Sequence, residues 1–353
     1  MSTLFVNGRF LTQAVTGVQR FATEVAWALD GLVATGEARD IRLLVPPGTA
    51  SPFPHLPAQP VGSGGGQRWE QLHLARAARS GVLLNLGNTA PLTGGTRQAV
   101  VIHDAAVFDQ PGTYSLAFRS WYRMLHRALP RLGTRIVTVS EFSRGRLAHH
   151  LGIDPARIGV MAEGGEHILR EPADGAILAR HGLAPRGYAL TVGTRAAHKG
   201  LDGLREAVGL LEARGLRLAA AGAVDAGVFR PASGGEAAVA LGRVSDAELR
   251  ALYENALCLV FPSRYEGFGL PPVEAMWCGC PVLAAAAGAV SEVCGDAALW
   301  FDADGPRTPA QALARLLDEP GLADALRDAG RARAAQYSWP AAARRLLSLV
   351  APQ

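Results

Sequence analysis

Arg264-Tyr265-Glu266-Gly267-Phe268-Gly269-Leu270-Pro271-Pro272-Val273-Glu274-Ala275-Met276 is the stretch from which the rest of this 353-residue chain is read. It follows an apolar run at 257–261 and precedes a helical pattern at 272–278, so it is the loop of a strand–loop–helix unit. Its glycines let backbone approach a ligand closely, and its prolines suit a first helical turn. The free N–H groups at such a helix start can hold an anion such as a diphosphate. Glu266 lies in the loop and Glu274 in the helix, so the two carboxylates can accept hydrogen bonds from different parts of one hydroxyl-rich ligand. Taken alone, the stretch also reads as an ordinary turn with two surface glutamates.

The same alternation extends outward in both directions. Apolar runs at 4–6, 41–45, 82–86, 99–102 and 136–139 read as strands in the first half, and 189–192, 216–221, 257–261 and 282–286 in the second. Helical patterns lie between them at 18–32, 116–129, 143–151, 203–214, 246–255, 272–278 and 308–317. Ser245-Asp246-Ala247-Glu248 is a capping box, and Thr16 with Gln19 makes a second one. The pattern predicts an α/β protein of two Rossmann-like, doubly wound parallel-sheet domains facing a cleft, with ligands at the carboxyl ends of the strands. The expected boundaries are 1–169 for the first domain, 170–187 for a charged, proline-containing linker, and 188–336 for the second. A last helix at 337–353 has no strand after it.

Composition narrows the function. The chain is 49% hydrophobic and 19% charged, enough to bury two cores. No apolar run reaches the roughly 18 residues of a membrane span, and Met1–Arg9 has no signal-peptide core, so a cytoplasmic protein is expected. A net charge of +4 does not suggest a nucleic-acid partner. Cys258, Cys278, Cys280 and Cys294 form no zinc spacing and read as buried thiols. Of 35 basic residues, Lys199 is the single lysine and the other 34 are arginine. A compact ammonium differs most from a guanidinium where a point charge must fit a tight phosphate site.

Lys199 ends the segment Val192-Gly193-Thr194-Arg195-Ala196-Ala197-His198-Lys199-Gly200, a strand, a glycine and a cationic loop suited to cradling phosphate. In the first half, Gly17 opens a helix whose positive dipole end can face the same ligand. His103-Asp104 follows the strand at 99–102, again at a carboxyl edge. Arg119, Arg123, Arg127 and Arg131 recur every fourth residue among Phe118, Trp121, Tyr122 and Leu125, and Pro130 is expected to bend or end that helix. Such a helix can rest on an anionic membrane or simply present a solvated face. Asp302-Ala303-Asp304 has the form of a metal-binding DxD, but it precedes Gly305-Pro306 with no third ligand nearby, so no metal is expected.

Segment 242–284, from Gly242-Arg243-Val244-Ser245-Asp246 through Ala251-Leu252-Tyr253 and the two glutamates to Gly279-Cys280-Pro281-Val282, closely resembles the retaining glycosyltransferases of family 4. These have the GT-B fold, and their signature is two glutamates with seven residues between, the spacing of Glu266 and Glu274. The resemblance is moderate over 4–165 and positional for the last helix, which in relatives crosses back onto the first domain. It implies a retaining hexosyltransferase using a nucleotide-sugar donor, with front-side attack by the acceptor and neither metal nor cofactor. It further implies that Glu266 binds donor-sugar hydroxyls, Glu274 the ribose, and the backbone of Gly267, Phe268, Gly269 and Leu270 the sugar and phosphate. Lys199 would neutralise the diphosphate, with Thr194 and Arg195 in the same loop; either Arg195 or His198 partners Lys199. Gly17 would lie near the phosphates and His103 beside the sugar.

Asp104 and Trp69 are acceptor-side candidates. Trp69-Glu70-Gln71 resembles a bacterial surface-polysaccharide subgroup, and Glu163-Gly164-Gly165-Glu166-His167 stands where relatives often carry Asn-Gly. The subgroup suggests GDP-mannose as donor, then UDP-glucose, and a lipid-linked saccharide acceptor, with peripheral attachment to the inner face of the cell membrane. A nucleotide-sugar epimerase of the same architecture, or a non-catalytic sugar-nucleotide-binding module, remains as the competing expectation.

Overall fold

Thirteen strands form two wholly parallel sheets among the residues described by the computed structural model, which are 3–93, 97–194, 199–223 and 238–350. The first sheet runs β3-β2-β1-β4-β5-β6-β7. Its strands are β1 (Leu4–Asn7), β2 (Ile41–Val45), β3 (Ala58–Pro60), β4 (Val82–Asn85), β5 (Arg97–Val101), β6 (Arg135–Thr138) and β7 (Ile158–Val160). The second runs β10-β9-β8-β11-β12-β13. It consists of β8 (Tyr188–Thr194), β9 (Arg217–Ala223), β10 (Ala238–Gly242), β11 (Cys258–Phe261), β12 (Val282–Ala285) and β13 (Ala298–Phe301). Helices cover both faces of parallel sheets, so their central strands are mostly apolar: every residue of β4, β11 and β12 is buried, Asn85 at the end of β4 being the one polar side chain among them.

In each sheet the strand order reverses beside the first strand, between β1 and β4 and between β8 and β11. The loops leaving these strands in opposite directions open a crevice at the carboxyl ends, where open α/β sheets bind ligands. The described chain divides into two units at Gly164 and Gly165, and the helix Trp339–Val350 rejoins the first. That helix packs on the helix Gly17–Ala34, with the Trp339 ring edge-on to Phe21 at 5.9 Å.

The expected linker at 170–187 is corrected by its packing. Its prolines and charges face outward, but Ile177, Leu178 and Leu183 are buried in one core with Tyr188, Leu252 and Tyr253. The second unit therefore begins at Gly165. The Thr16–Gln19 capping box is also not formed: Thr16 is the N-cap, but its hydroxyl bonds the Gln19 side chain and caps no backbone N–H. The box at Ser245 and Glu248 is complete. Pro130 sits in the last turn of the helix Leu116–Arg131 and does not bend it midway. Among the described residues no helix is long and apolar enough to cross a membrane. All four cysteines are free, and burial pushes Cys280 and Cys294 up to about 12, which leaves their thiols unreactive.

Candidate functional site

At the crevice of the second unit, the structure brings the lone lysine and the first glutamate together. Lys199 Nζ donates to Glu266 Oε1 at 2.5 Å and lies 5.9 Å from the centre of the Phe261 ring. The pair is part-exposed, 21% for the lysine side chain and 15% for the glutamate, so a ligand can reach both. Two glycines make this approach possible. Gly200 has φ +66°, and a Cβ there would sit 2.1 Å from the Pro262 carbonyl oxygen, so only glycine lets the chain pass the end of β11. Gly288, in the loop after β12, has φ +59°; a Cβ there would meet the Glu266 backbone at 2.9 Å. The next residue, Ala289, donates its N–H to the Glu266 carbonyl at 3.2 Å.

Glu274 faces a different pair of partners. Its Oε1 is 3.0 Å from His167 Nε2, and Tyr253 donates its hydroxyl to Oε2 at 3.1 Å. The carboxylate is 6% exposed, held in one orientation with lone pairs still available on both oxygens. Sequence reasoning missed His167 and Tyr253 as its partners. The signal was present, since both lie in the stretches quoted for the family, but a contact across 107 residues is not a motif. Gly269, at φ +100°, precedes the helix Leu270–Trp277, and Phe268 buries its ring edge-on to Tyr337 at 5.6 Å, anchoring the loop Gly267–Gly269 by its middle. Thr194 closes β8. Arg195 and His198, the candidate partners of Lys199, lie outside the described residues.

In the first unit, His103 is 6% exposed and packs edge-on to Phe21 at 4.4 Å. Its Nε2 meets the Leu86 carbonyl at 3.1 Å, and its Nδ1 lies 3.4 Å from the Glu163 carboxylate, a second residue of the unassigned 163–167 stretch. Asp104 accepts the Ala106 N–H at 2.7 Å, which starts the short helix Ala106–Asp109. Gly17 opens its helix, and a Cβ there would meet nothing within 4 Å. Trp69 is corrected outright as an acceptor-side residue. It is 1% exposed, lies in the core with Leu44, Leu74 and Leu83, and donates its indole N–H to the Val61 carbonyl at 2.8 Å.

Its neighbour Glu70 is the polar residue that the sequence did not single out. Fully buried, it takes Arg9 Nε at 2.9 Å, Asn7 Nδ2 at 3.0 Å and the Thr89 hydroxyl at 3.0 Å, all on Oε2. Burial raises this carboxyl above the usual carboxylate range, against the pull of Arg9.

The arginine stripe is not uniform. Arg123 donates to the Val107 and Phe108 carbonyls at 2.8 and 3.1 Å, ending the short helix Ala106–Asp109. Arg119 donates to the Pro111 carbonyl at 3.3 Å. Arg127 and Arg131 are exposed, Arg127 standing 5.2 Å over the Phe108 ring. Leu116, Met124 and Leu132 are exposed on the same surface, and a shallow hollow lies among Met124, Arg127, Arg131 and Leu132. Asp302 and Asp304 each meet an arginine: Arg307 Nε donates to Asp302 at 3.0 Å and Arg264 Nε to Asp304 at 3.1 Å.

Residues 179–333 match the family described as glycosyl transferases group 1. An O-antigen chain mannosyltransferase B from Escherichia coli is 33% identical over 260 residues, covering 69% of this chain and 67% of that protein. A D-inositol 3-phosphate glycosyltransferase from Salinispora arenicola is 33% identical over 232 residues, 58% of this chain; the matched region spans about half of that relative, 52%. A structure from Anabaena in complex with UDP and glucose superposes with a TM-score of 0.74 at 14% identity, covering 99% of both chains, a likeness of fold. With two wholly parallel α/β units of seven and six strands, the fold is GT-B, and the chain belongs to the group 1 glycosyltransferases, the family-4 type.

Proposed function

We propose that this glycosyltransferase moves a hexose from a nucleotide sugar to a saccharide acceptor with retention at the anomeric carbon and without a metal ion. The observation that carries the reading is the part-exposed Lys199–Glu266 pair at the β8/β11 crevice, beside the start of the helix Leu270–Trp277. On donor binding the pair is re-partnered: Lys199 turns its charge to the diphosphate and Glu266 accepts hydroxyls of the sugar. Glu274, oriented by His167 and Tyr253, takes the ribose. As the glycosidic bond breaks, charge grows on the leaving diphosphate, and preorganised donors aimed at it stabilise the transition state. Lys199 and the helix start supply that charge, in the place a metal would take. Asp302 and Asp304 are assigned to their arginine partners, not to a cation.

GDP-mannose is the first donor and UDP-glucose the second, supported respectively by the mannosyltransferase relative and by the Anabaena complex. The acceptor is assigned as a lipid-linked saccharide of bacterial polysaccharide biosynthesis, reached from the inner face of the cell membrane. Support comes from the O-antigen relative and from the helix Leu116–Arg131, whose exposed Leu116, Met124, Arg127 and Arg131 suit an anionic lipid surface.

The test is a thermal-shift screen of nucleotide sugars followed by transfer in EDTA. A ligand at about 100 times its Kd adds roughly 2.7 kcal/mol, well above detection. GDP-mannose is expected to give the largest shift, with α-linked product formed in EDTA. Activity abolished by EDTA and restored by Mn²⁺ contradicts the metal-free mechanism, and conversion of donor without acceptor marks an epimerase.

A further inference from the structure

A second polar cluster occupies the crevice of the first unit, and its parts form one continuous chain of contacts. Asn7 and Arg9 leave β1, Asn85 ends β4, and Thr89 lies four residues beyond. Asn7 Nδ2 is shared between Glu70 and Asn85 Oδ1, each at 3.0 Å, and Arg9 Nη2 donates to the Thr89 hydroxyl at 2.9 Å. Glu70 stands in a π-helical turn, Glu70–Leu74, an element that commonly re-aims one side chain. Its neighbour Gln71 pins the same loop further along, donating to the Ala90 carbonyl at 3.1 Å and accepting the Leu92 N–H at 2.8 Å.

Beside Thr89, Asn88 adopts φ +62°, a conformation that costs a non-glycine residue energy and persists only where surroundings impose it. Asn88 Oδ1 accepts the His103 N–H at 2.8 Å, its own N–H donates to Val101 at 3.0 Å, and its carbonyl meets His126 Nε2 at 2.9 Å. Leu86, in the same loop, holds the His103 ring. Backbone and ring of His103 are thus both set by loop 86–90, and that loop is tied at Thr89 to the fully buried Glu70 carboxylate.

We propose that Glu70 is a positioning residue for His103, acting through Arg9, Thr89 and Asn88 to hold the loop that presents the imidazole. The value of this placement for transfer rests on the proposed function together with the family resemblance, which implies that His103 lies beside the donor sugar. The placement itself does not. Glu70→Gln keeps the shape and removes the charge that fixes Arg9. Thr89→Val, nearly isosteric, cuts the same chain one link later and serves where Glu70→Gln lowers stability too far to study.

Two readouts decide it. Histidine-selective ¹⁵N labelling gives nine backbone signals, one per histidine. In either variant the His103 and His126 amides are expected to move while a described histidine outside the chain of contacts, His181, stays put. This readout needs no donor, so it judges the positioning even if the transferase reading fails. In turnover, Glu70→Gln is expected to lower kcat about tenfold with KM for donor changed less than twofold, and to add less than a further twofold loss in a His103→Ala background. Unmoved His103 and His126 signals overturn the proposal. So does a Glu70→Gln loss of equal size with and without the His103 side chain. An inactive wild type with shifted His103 signals refutes the functional reading alone.

Discussion

The two crevices share a topology and differ in how their charge is kept. Both lie beside the first strand of their sheet, where the order reverses, and both hold a cation–carboxylate pair. In the first unit the pair is Arg9 and Glu70, its carboxylate wholly buried and further hydrogen-bonded by Asn7 and Thr89. A buried pair loses hydration that only good geometry offsets, and removing one partner strands the other charge. Arginine, with a planar fork that reaches Glu70 and Thr89 together, suits that fixed role. In the second unit the pair is Lys199 and Glu266, single-contact and open to solvent. A point charge on a flexible stem can leave its carboxylate for a phosphate. The same place in the fold holds a buried clamp in one unit and, in the other, a part-exposed pair that the proposed function makes ligand-responsive.

Breaking the open pair is expected to have the largest effect. Lys199→Ala should reduce transfer on the order of 10²-fold or more, the scale of losing one charge-stabilising donor. Lys199→Arg should recover only part of that, because a planar guanidinium does not fit a point-charge site. Steady-state rates with saturating donor make the check, and a fully active arginine variant removes the special role of the lone lysine.

Gly17 sharpens the comparison from the first unit. Open space surrounds its Cβ position, so Gly17→Ala should leave the thermal midpoint unchanged. Donor affinity should nevertheless fall about tenfold, or roughly 1.4 kcal/mol, if diphosphate packs against that helix start. Titration with a nucleoside diphosphate reads it directly.

A separate loss, in membrane affinity, is expected on the exposed surface of the helix Leu116–Arg131. Arg127→Gln with Arg131→Gln removes about 2 kcal/mol of attraction to an anionic surface, at about 1 kcal/mol per arginine. Arg123→Gln should instead lower stability, because Arg123 is bonded to Val107 and Phe108. Co-sedimentation with anionic and neutral vesicles at low and high salt separates the two.

A pH-dependent effect concerns the fixed crevice alone. Burial depresses His126 to about 4, so the folded protein resists a proton that the unfolded chain takes up near 6.5. Stability from this group is intact above that value and is lost as pH falls from about 6.5 toward about 4. His126→Gln, which can still donate to Asn88, should flatten the slope in that window in urea titrations.

Much of this was legible in sequence where one local pattern sufficed. Buried parallel strands are largely apolar runs, so β4, β11 and β12 announce themselves, and the proposed donor-side residues sit in loops of fixed order. Ala58–Pro60 carries no such pattern: it is an exposed edge strand of three residues. Ile158–Val160 is as short, and Ala298–Phe301, though apolar, is only four residues long. The helix Leu322–Ala334 hides its stripe among alanines and arginines. In the sites, what escaped is long-range: Glu70 meets residues 63 positions before and 19 after it, and His167 meets Glu274 across 107. Polar residues that fold into one network from distant loops leave no spacing to read.

The central claim is that the open pair and its companion glutamate divide the donor between them, and calorimetric titration tests it most directly. Wild type, Glu266→Gln and Glu274→Gln are each titrated with the nucleoside diphosphate and then with the intact nucleotide sugar. The account predicts that Glu274→Gln weakens the diphosphate about tenfold, because its partner is the ribose. Glu266→Gln should leave diphosphate affinity within about threefold of wild type, or 0.65 kcal/mol, while losing whatever affinity the sugar adds. Equal losses of diphosphate binding in both variants would contradict it.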